Sequence, residues 1–373
     1  MAHRVGLSGA CMRVFVSEYV CGGAWPNELL DGSLATEGRA MLLSLIGALM
    51  RIPEVDVVTT WDHRLGTFPL ATSSRCKVVP ISSPIDEQQA FERLCESADA
   101  AFVIAPEFHG ILATRVETAS SRTRLIGCDT GATTLCSDKL KLAEFLNARE
   151  IRTVPTERFN PASIETSVAA GESYFPCVVK PRDGAGSLLT FKVSNSDKLA
   201  VVSTQILTAG GDFKFIRQPF IEGVAVSCAA IVTAGQGGAC NGPRIDVLPP
   251  CEQILSTDGC FRYEGAEFPI RFGNDSVRVE QIDRLVRRCC SVMPGLSGYV
   301  GFDLLIPHVE NDEPIVIEIN PRLTTGFLLW QKMCNDNLVA RMLATTNDGA
   351  WLIAGPLSWK PAAAAIRMSS LAE

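Results

Sequence analysis

Two hydrophobic rhythms alternate over the first third of the chain. The segments "RVFVSEYV", "VDVVTTW", "CKVVPI" and "DAAFVIAPE" are short runs rich in β-branched and aromatic residues and read as buried strands. Between them, "EGRAMLLSLIGALMRI" and "EQQAFERLCESA" repeat their apolar positions at helical spacing. Strands alternating with helices predict a parallel sheet with helices on its faces. The ligands of such sheets collect beyond the carboxyl ends of the strands. Glu18 beside "CGG", Asp62 in "TTWDHR" and Glu107 in "IAPE" fall at those ends.

The rhythm changes after residue 127. In "SDKLKLAEFLNARE", Ser137 or Asp138 can cap a helix whose Leu142, Phe145, Leu146 and Arg149 recur at helical spacing. Lys139 and Lys141 then sit in its first turn, where the helix dipole disfavours cations. A lysine beside a helix N-terminus suits a phosphate. "FPCVVKPRDGAGSLLTFKVSN" follows as strand, turn and strand. In "DGAGS", Gly184 and Gly186 let the backbone approach a ligand, and successive N–H groups through Ser187 form an anion-binding nest. Lys180 lies a few residues upstream, within reach of the same phosphates. The pattern is neither GxxxxGK[ST] nor a GxGxxG that opens a helix. "QPFIEG" is an extended connector between two strands; its backbone groups suit an adenine edge and its Glu222 suits ribose hydroxyls.

"GYVGFDLLIPHVENDEPIVIEINP" predicts two antiparallel strands about a polar loop. Alternation sends Ile315, Ile317 and Ile319 to one face and Val316, Glu318 and Asn320 to the other. A turn centred on Glu310 and Asn311 pairs Asp303 with Glu318; one centred on Asn311 and Asp312 pairs it with Asn320. Either register puts Asp303, Glu318 and Asn320 on one face. Burying two carboxylates without cations is costly. Three oxygen donors with no histidine or cysteine nearby suit a hard ion such as Mg²⁺ rather than zinc. Arg322, just past Pro321, is placed to stabilise developing negative charge.

Composition narrows the partners. A chain of 373 residues has room for two or three subdomains, and 47% hydrophobic with 20% charged residues is ordinary for a globular protein. A net charge of -7 without a long basic run argues against nucleic acid or an anionic membrane surface, leaving small molecules. The 14 cysteines form no CxxC pair and mostly sit among apolar neighbours, which fits small hydrophobes in a reducing cytoplasm. No apolar stretch approaches the ~20 residues of a membrane span. "MAHRVGLSGAC" lacks a signal-peptide core and reads as an appendage, with Met12 as a second candidate start.

In their order and spacing, "SDKLKL", "VVKPRDGAGS", "QPFIEG", "GYVGFDLL" and "IEINPR" resemble the ATP-grasp superfamily over most of the chain. The resemblance implies an α/β fold, α+β in its C-terminal part. A Rossmann-like pre-ATP-grasp domain would span 12–127, a small lid domain 128–217, and a C-terminal antiparallel-sheet domain 218–373. It further implies that Lys139 and Lys180 bind ATP phosphates beneath the loop of Gly184, Gly186 and Ser187. The connector of Gln218, Phe220, Ile221 and Glu222 would hold adenine and ribose. Asp303, Glu318 and Asn320 would bind two Mg²⁺ ions, for which Mn²⁺ can substitute, with Glu318 bridging. Many members carry a ribose-binding glutamate where this chain has Ala225.

Within the superfamily, "FVSEYVCGGAW", "LATEGRAMLLSL", "VIAPE" and "FRYEGAEFP" look like the tyramine–L-glutamate ligase branch of methanofuran and one-carbon cofactor biosynthesis. This implies an ATP-dependent ligase that joins a small carboxylate to an amine through an acyl phosphate, with Lys180 and Arg322 as catalytic groups and a lid that closes against water. Charge complementarity makes Glu18 and Glu107 candidates for the amine's cationic group, and Arg262 with Tyr263 for covering the acceptor. A homodimer remains open. The rival readings are a bicarbonate-activating carboxylase, a non-catalytic nucleotide-binding regulator, and an oxidoreductase, the last weakened by the missing GxGxxG.

Overall fold

The computed structural model describes residues 11–26, 30, 32–163, 175–234, 242–270, 276–309, 312–334, 336–344, 357–359 and 366–368. The first ten residues, the turn at 310–311 and most of 346–373 lie outside them.

Five parallel strands form the N-terminal sheet: β1 (Met12–Glu18), β2 (Val55–Asp62), β3 (Cys76–Ile81), β4 (Ala100–Ile104) and β5 (Arg124–Leu125), in the order β3-β2-β1-β4-β5. Alternation along β1 explains how it is covered. Val14 and Val16 pack with Leu42, Leu45 and Ile46 of α1 (Ser33–Leu49). Phe15 turns the other way, onto Phe91 and Leu94 of α2 (Pro84–Ser97) and Ala119 of α3 (Ile111–Ser120). Each such fully buried side chain contributes roughly 1.5–3 kcal/mol. The side chain of Ser83 accepts the N–H of Asp86, and Pro84 opens α2. The strand order reverses between β1 and β4, so their carboxyl ends open a crevice.

The small sheet has four antiparallel strands in the order β6-β9-β7-β8: β6 (Glu157–Phe159), β7 (Cys177–Pro181), β8 (Phe191–Val193) and β9 (Phe215–Pro219). Val179, Val193 and Phe215 pack against Leu199, Val202 and Ile206 of α6 (Ser196–Ala209). Helices α4 (Thr130–Ser137) and α5 (Lys139–Asn147) do not join this lid. Their Ala132, Cys136, Leu142 and Leu146 sit in the core of the large sheet with Val226, Cys228 and Phe302. Burial groups residues of 128–151, which the expected lid of 128–217 includes, with the C-terminal sheet.

That sheet runs β15-β14-β10-β12-β13-β16-β17, with β11 also paired to β10. Its strands are β10 (Gly223–Thr233), β11 (Arg244–Val247), β12 (Cys251–Leu255), β13 (Tyr263–Phe268), β14 (Gly298–Pro307), β15 (Ile315–Asn320), β16 (Leu357–Trp359) and β17 (Ile366–Met368). Cys228 and Ala230 face α7 (Ser276–Val292). Ala229 and Ile231 face α8 (Gly326–Met333) and α9 (Leu338–Met342), which in turn pack against α1. Every described cysteine is a free thiol, and nearly all are buried.

The β14–β15 hairpin departs from simple alternation. Asp303 pairs with Glu318, but Leu304 pairs with Val316, leaving Ile317 as an extra residue. The bulge reverses the phase upstream: Val316 joins Ile319 in the core, and Ile317 turns to the cavity instead of away from it. Glu318 and Asn320 keep their expected face, Gly301 standing opposite Asn320.

Candidate active site

The small sheet, the large sheet and α1 of the N-terminal domain meet around one cavity of about 500 Å³, the size range of small-molecule sites. Lys139 at the start of α5, Lys180 on β7, Asp303 on β14, and Glu318 and Asn320 on β15 all line it. The Nζ of Lys180 donates to Glu318 Oε1 at 2.9 Å, and that of Lys139 lies 3.6 Å from the same oxygen while donating to the carbonyl of Gly184 at 3.1 Å. Burial pushes the Glu318 carboxyl up, but the two ammonium groups outweigh it and hold it down at about 2. Asp303 shows the opposite balance. Burial and the nearby Glu318 charge push it up to about 6, against hydrogen bonds from Asn320 Nδ2 at 2.9 Å and Gln253 Nε2 at 2.6 Å.

This donor set fits a hard divalent cation. Two partly buried carboxylates and a carboxamide face one space, and Asp303 is held at a charge cost that a cation would relieve. Among the described residues no group of three or more His, Cys, Asp or Glu side chains is placed to hold an ion. That leaves most of the coordination to phosphate and water, as Mg²⁺ prefers.

At the N-terminus of α5 the N–H groups of Lys139 and Lys141 are already engaged. Asp138 caps it by accepting the N–H of Lys141, and the N–H of Lys139 donates to the carbonyl of Arg182 at 3.0 Å. Arg182 also chelates Asp138, which ties the helix to the end of β7. The Lys139 side chain, not the helix dipole, reaches the cavity, and Lys141 stays largely exposed. The loop 183–187 borders the same space. Gly186 adopts φ of 68°, which glycine permits without strain, and the Ser187 hydroxyl donates to the carbonyl of Phe261 at 2.7 Å. Asp183 accepts the N–H of His109 at 2.9 Å, so the loop touches both the N-terminal domain and the large sheet.

Gln218, Phe220 and Ile221 line the cavity beyond Lys180. The Gln218 amide is spent on Thr156 at 2.8 Å, and its backbone pairs with Val178 of β7. Phe220 stacks on Phe261 at 6.1 Å between centroids. Glu222 is exposed and does not line the cavity, whereas Ala225 does. The geometry therefore gives the ribose no carboxylate from position 222.

At the other end, Arg322 lines the cavity and Glu107 faces it with both oxygens, Nη2 donating to Oε2 at 2.8 Å and Nε lying 2.8 Å from Oε1. Glu107 is thus engaged by the guanidinium of Arg322. Glu18 is 2% exposed, accepts the N–H of Cys21, and packs so tightly on Gly38 that a Cβ there would strike its Oε1. It does not reach the cavity, because α1 crosses the carboxyl end of β1 at that point. Arg262 and Tyr263 both line the cavity, Arg262 at its exposed rim and paired to Asp258 at 2.6 Å. Sequence reasoning missed Gln253, Ser227 and Glu37. Ser227 interrupts an otherwise apolar strand and Gln253 follows Glu252 on a mixed one, but only the fold turns these side chains toward the cavity.

Two family models cover most of this architecture: a pre ATP-grasp 3 domain matches residues 55–133 and an ATP-grasp domain matches 136–326. The chain belongs to the ATP-grasp family. This ATP-grasp chain is 25% identical over 299 residues to the tyramine–L-glutamate ligase of Methanocaldococcus fervens, covering 79% of this chain and 82% of that protein. It is 24% identical over 322 residues to the tyramine–L-glutamate ligase of Methanocaldococcus jannaschii, covering 85% of each. Its fold matches a putative ATP-grasp superfamily protein from Archaeoglobus fulgidus with a TM-score of 0.67 at 22% identity, over 94% of this chain and 92% of that one. The ATP-grasp chain is an ADP-forming ligase of the C–N class and resembles the tyramine–L-glutamate ligase branch. Among the described residues no helix is long and apolar enough to cross a membrane.

Proposed function

We propose that the chain activates the carboxylate of a small acid, with L-glutamate the first candidate, as an acyl phosphate and passes the acyl group to an amine in the biosynthesis of a one-carbon cofactor. The supporting observation is the convergence of Lys139 and Lys180 on Glu318, beside Asp303 and Asn320, with Arg322 held by Glu107 at the far end of the same cavity. Lys139 and Lys180 bind the phosphates of ATP, and the loop of Gly184, Gly186 and Ser187 covers them and keeps water out. Phe220 and Ile221, with Gln218 at the end of β9, hold the adenine. Asp303, Glu318 and Asn320 would hold Mg²⁺, two ions in this reading with Mn²⁺ as a substitute, which when bound supplies charge neutralisation at the phosphates.

Arg322 orients the substrate carboxylate. An oxygen of that carboxylate forms a bond to the γ-phosphorus as the bond to ADP breaks. The amine nitrogen then bonds to the acyl carbon, inorganic phosphate leaves, and the nitrogen loses its proton. Arg322, kept cationic by Glu107, stabilises the negative charge that builds on the carbonyl oxygen.

Purified protein incubated with Mg-ATP, L-glutamate and a panel of amines including tyramine tests the reading, with ADP quantified and new amides sought by mass spectrometry. ADP and an amide in one well support it. ADP formed with bicarbonate alone overturns the amide-ligase reading in favour of a carboxylase, and ATP binding without turnover across a wide panel of acids overturns it in favour of a regulator.

A further inference from the structure

We propose that Glu37 binds the ammonium group of the carboxylate substrate, which makes that substrate an α-amino acid or similar zwitterion and not a simple carboxylic acid; the inference rests on the ligase reading above. Glu37 lies on α1, one turn past its start, and lines the cavity with Tyr263 and Arg322. The other principal charges around the cavity are matched. Arg322 is paired with Glu107, Arg262 with Asp258, and Lys139 and Lys180 with Glu318. Asp303 takes hydrogen bonds from Gln253 and Asn320. Glu264 lines the rim but is exposed to solvent.

Glu37 is different. Its carboxylate makes no hydrogen bond or ion pair among the described residues, and burial pushes its pKa up to about 7 even though the Arg322 charge opposes this. Because Glu107 already neutralises Arg322, the substrate end of the cavity carries one unmatched negative charge. A desolvated carboxylate without a partner is costly, and a ligand cation relieves that cost.

The cation belongs to the acid and not to the nucleophile. An amine locked against a carboxylate as an ammonium has no lone pair with which to attack, so a strong ion pair at Glu37 suits a nitrogen that does not react. Glu37 and Arg322 also lie close enough for each charge to act on the other. One small molecule can therefore place a carboxylate at Arg322 and an ammonium at Glu37. Ser33, on the preceding turn of α1, lines the same region.

The test is equilibrium binding, by calorimetry in the presence of Mg-ADP, of matched acids with and without the ammonium: L-glutamate and glutarate, L-aspartate and succinate, L-alanine and propionate, L-tyrosine and 3-(4-hydroxyphenyl)propionate. The wild type should bind the amino acid of at least one pair ten times more tightly than its partner. Glu37→Gln, which keeps the size of the side chain, should remove that preference while leaving Mg-ADP affinity unchanged. No preference in any pair, or a preference that survives Glu37→Gln, overturns the assignment. The ligase reading is scored separately by ADP formation. A Glu37-dependent binding preference without turnover sinks the ligase reading and keeps the ammonium site; turnover on acids without any ammonium preference does the reverse.

Discussion

Glu18→Gln separates a buried structural carboxylate from a substrate-binding one. Glu18 is closed off beneath α1, and burial pushes its carboxyl up to about 7, although the N–H groups of Cys21 and Val20 and the charge of Arg115 oppose the rise. In the unfolded chain the same group would titrate near its ordinary value of 4.5. A carboxyl whose folded pKa is raised binds its proton more tightly in the native state. The penalty for burying its charge is therefore absent below about 4.5, grows as pH rises, and is complete above about 7. From these two values the native state loses about 2 kcal/mol between about pH 5.5 and pH 8 through this group alone. The amide introduced by Glu18→Gln cannot ionise, so the stability difference between variant and wild type should shift by about 2 kcal/mol in the variant's favour over that range. Differences in packing and hydrogen bonding are independent of pH and cancel in this comparison. Denaturant unfolding of both proteins at several pH values measures it. Parallel stability profiles would refute the buried-carboxylate reasoning. A selective rise in KM for the amine, with stability unchanged, would return Glu18 to the substrate.

Glu318→Ala should abolish ADP formation while thermal unfolding remains cooperative, and turnover within tenfold of wild type would remove Glu318 from the ion-binding set. Lys180→Ala removes one charge-assisted contact, worth about 1.5–3 kcal/mol, so nucleotide Kd should rise about 10- to 100-fold; an unchanged Kd by fluorescence titration would take Lys180 off the phosphates. Glu107→Ala strands a buried guanidinium and should cost about 3 kcal/mol in denaturant unfolding, together with a fall in kcat/KM for the acid. Recovery of kcat/KM in Glu107→Gln would mark the residue as orienting Arg322, whereas no loss in either variant would show that Arg322 needs no such support.

The first four strands of the N-terminal sheet were legible because each is a short apolar run, with periodic helices between β1 and β2 and between β3 and β4. Helix α3 was not read, since its stripe of Leu112, Val116 and Ala119 is interrupted by Arg115, which is itself buried against Glu87 with its guanidinium over Phe91 at 4.3 Å. The placement of α4 and α5 was hidden for another reason. Helical periodicity reveals that a face is apolar but not which sheet covers it, and these helices follow the large sheet although the lid is nearer in sequence. The shared face of Asp303, Glu318 and Asn320 survived because the bulge lies upstream of Glu318; an alternation rule counts one residue for one and has no way to see Ile317 inserted. Gln253, Ser227 and Glu37 needed the fold itself, because β12, β10 and α1 reach the cavity from distant parts of the chain.

The charges of the site explain why its two ligands belong together. Lys139 and Lys180 face Glu318, so these charges are paired within the cleft. Phosphates drawing the lysines away would leave Glu318 and Asp303 as partly buried, mutually repelling carboxylates, which is the costly arrangement. A cation alone would meet carboxylates already engaged by ammonium groups. Phosphate and cation arriving together exchange one set of ion pairs for another without leaving a buried charge unmatched. In the proposed reading, the coupling between nucleotide and metal would run through Glu318, whose Oε1 both lysines approach.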